Sequence, residues 1–108
     1  MNSRLDSYLS LPKKYETIAA SQTDQVMGTN GADGDFLERL IIVPATTGAG
    51  NVSIKDGSGG SAITLFVSGT LADLTPIVLE LNMQSVSAGG WRVTTGANVS
   101  VVAVGRFS

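Results

Sequence analysis

Cysteine and histidine are both absent from this chain of 108 residues. Without cysteine there is no disulfide framework, no zinc knuckle and no thiol nucleophile. Without histidine the commonest acid–base group near neutral pH is missing, and Ser-His-Asp or Cys-His constellations are excluded. Any metal centre would have to be built from carboxylates, and Asp33, Asp35 and Glu38 form the one local acidic cluster. Charge is scarce at 15% of residues, against about 25% in an average domain. It is also uneven: residues 1–39 hold ten charged side chains and residues 40–108 hold six, namely Lys55, Asp56, Asp73, Glu80, Arg92 and Arg106. The net charge is −2 and the basic residues cluster only at Lys13-Lys14, so the electropositive footprint that nucleic acid requires is lacking. No 18-residue apolar run offers a membrane-spanning helix. Met1 to Asp6 carry no apolar stretch of the kind that drives secretion, so synthesis in the cytoplasm is expected. No catalytic residue, cofactor or metal is expected.

What the chain does contain is alternation and punctuation. From Tyr15 onward, short apolar or alternating runs are separated by Gly, Asn, Asp and Ser clusters, the pattern of an all-β domain. Eight strands are predicted, over 15–20, 24–27, 36–43, 51–55, 62–67, 76–82, 91–95 and 98–107. Side chains alternate faces along a strand. Val52 and Ile54 therefore oppose Asn51, Ser53 and Lys55. Ile63, Leu65 and Val67 oppose Ala62, Thr64 and Phe66. Ile77, Leu79 and Leu81 oppose Val78, Glu80 and Asn82, and Val99, Val101 and Ala103 oppose Ser100, Val102 and Val104. The stretch 71–84 also carries Leu71, Leu74, Val78 and Leu81 near helical spacing, but Pro76 interrupts it. One domain fits this length, and eight short strands suit a single β-sandwich of jelly-roll type.

Residues 1–14 form a separate regime. Leu5, Tyr8 and Leu9 have i, i+3, i+4 spacing, which suits a helical turn or two, and Pro12 ends any such helix. So short a helix cannot hold itself in water. With Leu11, four large apolar side chains are more than a disordered tail needs, so residues 1–14 read as an extended or short-helical arm that docks on a partner. On the domain itself, Phe66, Val78, Val102 and Val104 fall on the predicted outer faces. Apolar side chains there mark a candidate self-interface.

Other motifs weigh less. The loop Asn30-Gly31-Ala32-Asp33-Gly34-Asp35 looks like a calcium loop but fails the EF-hand spacing; turn chemistry accounts for it. Asp56-Gly57-Ser58-Gly59-Gly60 reads as a hairpin connection, with no lysine or helix after it to hold phosphate. Glu38 and Glu80 are the acidic residues expected mid-strand, with nothing to pair them for glycoside chemistry. Trp91 follows Gly89-Gly90 and is expected in the core or at a sheet edge, with sugar stacking as the alternative.

Three stretches, GDFLERLIIVP at 34–44, VSIKDG at 52–57 and WRVTTGANVSV at 91–101, together resemble a group of small structural proteins of tailed bacteriophages. That resemblance implies a virion component with a β-sandwich, such as a capsid decoration (cement) protein, often trimeric. The expectation is a homotrimer that packs across capsid subunit seams and contacts the major capsid protein or another virion protein. The alternative is a binding module of a tail or fibre that recognises a host-surface glycan or another virion protein. The resemblance carries no catalytic residue and does not reach residues 1–14.

Overall fold

A computed structural model describes residues 13–29, 31–45, 48–67 and 75–108. The arm residues Leu5, Tyr8, Leu9 and Leu11 lie outside them. Among the described residues the chain forms eight strands: β1 (Lys14–Ile18), β2 (Gln25–Val26), β3 (Phe36–Pro44), β4 (Val52–Asp56), β5 (Ile63–Phe66), β6 (Ile77–Gln84), β7 (Trp91–Thr95) and β8 (Val99–Arg106). All eight predicted strands are present, with ends shifted by up to two residues. No described helix is long and apolar enough to cross a membrane.

The strands form two four-stranded sheets, in the orders β1-β8-β3-β6 and β2-β7-β4-β5. Four antiparallel pairs organise them: β1 with β8, β2 with β7, β3 with β6 and β4 with β5. This is the order obtained when one long antiparallel ribbon is rolled up, the two-sheet jelly roll expected from the spacing of the runs. We refer to the sheet containing β8 as sheet A and the sheet containing β7 as sheet B.

The core follows from the period of two. Ile18, Val101, Ile42 and Ile77 stand in one register row across the inner face of sheet A. Val52, Ile54 and Val93 face them from sheet B. All of these are buried except Ile77, which lies on the open flank described below. A fully buried aliphatic side chain of this kind contributes roughly 1.5–3 kcal/mol relative to exposure. Burial along β8 alternates without a break from Val99 to Arg106. Central position and pairing on both sides protect this long, nearly uncharged strand from edge association.

Polar groups close both ends. At one end Thr95 is buried, and its Oγ1 donates to the Ala19 carbonyl at 2.6 Å and accepts the Gln22 N–H at 3.0 Å. At the other, Asp35 is 1% exposed. Its carboxylate accepts hydrogen bonds from Ala32 N–H at 3.1 Å, from Ser108 N–H at 3.2 Å and from Ser108 Oγ at 2.9 Å. Nearby, Asp56 accepts from the Ser85 hydroxyl and from Val86 N–H. The loop that resembles a calcium site is thus a turn. Gly31 and Gly34 supply left-handed backbone, and the Asp35 oxygens are occupied by protein donors.

Two bulges adjust the faces. Between Leu37 and Arg39 the register shifts against β8 and against β6, leaving Glu38 as the extra residue on β3 relative to β8. Asn82 in β6 sits opposite this irregularity with φ 51°, a conformation asparagine tolerates better than most residues. The second lies in β5, where Leu65 is the extra residue relative to β4. Close to the first, Gly105 has no room for a side chain. A Cβ there would lie 2.0 Å from the Phe36 carbonyl oxygen and 3.0 Å from the Phe107 ring.

Candidate interaction face

The outward positions of the two sheets differ in chemistry. On sheet B, Thr94, Ser53 and Thr64 stand in register across β7, β4 and β5, a row of hydroxyls. Lys55 lies beside Arg92 in the next outward row and pairs with Asp24 at 3.2 Å. The Lys55 hydrogen bond holds the Asp24 carboxyl below its ordinary value.

On sheet A the outward positions carry large apolar side chains. Thr17, Val102, Ile41 and Val78 form one row across all four strands. Tyr15 and Val104 lie in the next, beside Arg39 and Glu80. Val43 stands beyond Ile41, next to Ser100. Tyr15 is 70% exposed and Val78 is 54% exposed, while Ile41, Val43, Val102 and Val104 are half-buried by their neighbours. With strands about 4.8 Å apart and about 3.4 Å per residue, the band covers about 14 by 14 Å.

Ionic groups close one side of this band. Glu38 receives Lys13 at 2.6 Å and Arg39 at 3.0 Å, and Arg39 reaches Glu80 at 3.3 Å. The Lys13 hydrogen bond, with further help from its charge and from Arg39, holds the Glu38 carboxyl below its ordinary value. The chain therefore concentrates charge at one margin of the face and leaves the rest free of it.

Of the four positions read from the sequence as outward apolar residues, Val78, Val102 and Val104 do share this face. Phe66 does not. The register of β5 shifts between Val52 and Ser53, so that Phe66 pairs with buried Val52 and packs against the core. Strict alternation fails there because the bulge inserts a residue: Leu65 and Phe66 both turn toward the interior, while Val67, expected inside, is exposed. Tyr15, Ile41 and Val43 join the face, although alternation alone does not single them out. For Ile41 and Val43 the signal is the run Leu40-Ile41-Ile42-Val43, which is apolar at both parities, as in strands covered on both faces.

Trp91 is 4% exposed, on the inner face of β7. Its ring belongs to the core and is not presented for stacking. Among the described residues no three Asp or Glu side chains converge to hold a metal ion. What the arrangement offers is an apolar surface with a charged margin.

No protein-family model matches the chain. Searches among curated proteins and among solved structures likewise gave no significant match.

Proposed function

We propose that this chain is a non-catalytic adhesive module of a tailed-phage particle, a decoration (cement) protein that stabilises the head by packing across subunit seams. The apolar band on the outer face of sheet A carries this reading. An uncharged row spanning four strands, with Tyr15, Val104 and Val43 beside it, is a poor use of a solvent-facing sheet and a good use of one that another protein covers. The scarcity of charge after residue 39 and the resemblance to small phage structural proteins point the same way. In this account the domain lays sheet A on the capsid surface and associates with its own copies, as a homotrimer. Leu5, Tyr8, Leu9 and Leu11 add a second attachment, ordering on the shell as they bind. The work is mechanical: apolar area leaves water at roughly 25 cal/mol per Å², less the costs of association.

The band alone, about 200 Å² of flat footprint, falls well short of the about 800 Å² that each partner of a stable complex contributes. Firm attachment therefore needs the arm and neighbouring copies as well. The test is co-sedimentation with heads of the encoding phage from which this chain has been removed. Wild type binds; Ile41→Lys/Val102→Lys, shown folded by circular dichroism, does not. Equal binding by that variant would remove the face from the account, and no binding by wild type would remove the virion role.

A further inference from the structure

The two sheets do not close equally on both sides. On the β1 and β2 side Ile18 and Met27 are fully buried. On the β5 and β6 side Leu65, Phe66, Ile77, Leu79, Leu81 and Met83 are only partly buried. Ile63, at the start of β5, is 49% exposed. Among the described residues, four of the five large apolar side chains that are exposed, Ile63, Val67, Val78 and Val86, lie on these two strands or within two residues of their ends. The core runs out to the surface along this flank.

We infer that the β5/β6 flank is the seam through which one copy of this chain packs against a second. The inference rests on the adhesive reading above and locates its copy-to-copy contact. Charge selects the occupant. Within residues 63–67 and 75–86 the sole ionic side chain is Glu80, and Arg39 pairs with it. Such a flank offers nothing to attract nucleic acid, an anionic membrane or a charged partner protein. It is nearly uncharged, so a second copy meets no like-charge repulsion there.

Area agrees. Eight residues of β6 run about 27 Å, and two sheets about 10 Å apart with their side chains make a flank about 20 Å wide. That gives about 500 Å² per copy, below the about 800 Å² of a standard stable interface. Free chains would thus associate weakly, and copies held side by side on a lattice would associate through their high local concentration. The contact is made by side chains and not by joining strands. Asn82, with φ 51°, interrupts the β6 edge, and an irregular edge resists pairing with another strand. Val78 belongs both to this flank and to the outer row of sheet A, so the two surfaces are continuous around β6.

Sedimentation equilibrium of the full chain up to about 1 mM tests the seam. Wild type should exceed the monomer mass of 11.1 kDa increasingly with concentration. Ile63→Lys/Val78→Lys changes two positions that are already half exposed, so the fold should survive, and it should stay at the monomer mass. Thr23→Lys/Ala97→Lys, with the same added charge on exposed residues outside the flank, should behave as wild type. A monomeric wild type, or equal association by the flank variant, would overturn the seam. Binding of wild type to stripped heads reads the adhesive role separately, so a monomer that still binds heads defeats this inference and leaves that role standing.

Discussion

Removing the Asp35 carboxylate should cost more stability than any other single change of an ionic side chain among the described residues. The group is buried, and it accepts from two backbone N–H groups, Ala32 and Ser108, and from the Ser108 hydroxyl. In Asp35→Ala the hydroxyl can rotate toward water, but the Ala32 N–H sits in a half-buried loop and loses its acceptor. An orphaned buried donor costs about 1–3 kcal/mol. The Ser108 N–H, nearer the surface, adds less, so the sum is about 2–4 kcal/mol. Typical domains have only about 5–15 kcal/mol in total. With a urea m value of about 1–1.5 kcal/mol/M, the unfolding midpoint should fall by about 2 M with unchanged slope. Asp35→Asn keeps one acceptor oxygen and turns a donor toward donors, so it should lie between the two. Amide exchange at Ala32 and Ser108 should accelerate in both variants. The physical consequence reaches the face, because Asp35 precedes β3 and Ser108 follows β8, the two central strands of sheet A. A midpoint for Asp35→Ala within about 0.5 M of wild type would refute this reasoning.

Three further outcomes are expected. Gly→Ala inside a strand ordinarily stabilises by about 0.5–1 kcal/mol, but Gly105→Ala should destabilise by at least about 1–3 kcal/mol. Its Cβ meets the Phe36 carbonyl oxygen at the start of β3, and thermal unfolding will read the sign. Glu38 and Asp24 both have carboxyls held below their ordinary values by lysine. A carboxylate depressed in the folded state stabilises above its unfolded value and loses that contribution as pH falls through the folded one. The melting temperature should therefore be flat above about pH 5 and drop below about pH 4.5; Glu38→Gln/Asp24→Asn should flatten that drop. Deletion of residues 1–11 should leave the far-ultraviolet spectrum of the domain unchanged and abolish co-sedimentation with stripped heads.

The sheet architecture can be read from the sequence because it depends on a strong, repeated signal. Val99, Val101 and Ala103 alternate with Ser100, Val102 and Val104, and any register that buries the first set exposes the second. Ile77, Leu79 and Leu81 behave in the same way, despite the competing helical spacing around Pro76. Where the pattern misleads, a bulge is responsible. Alternation carries no mark of an inserted residue, so it puts Phe66 outside and Val67 inside. The turn at Asp35 is legible as a turn, but its anchoring of Ser108 is not, because that depends on a contact spanning 73 positions. The interaction face is half legible. Its three valines can be named, whereas joining them to Ile41 and Tyr15 requires the strand order. The thin packing between β5 and β6 leaves no trace in alternation, because a half-covered leucine and a fully covered one look alike in a sequence.

The most direct test of the adhesive account is an electron-microscopy map of intact particles of the encoding phage, with this chain located in it. The account predicts copies seated on the head with Ile41, Val102 and Val104 against a neighbouring protein, and the hydroxyl row of Ser53, Thr64 and Thr94 toward solvent. A particle without the chain, or one in which sheet A faces water while sheet B makes the contact, would contradict it.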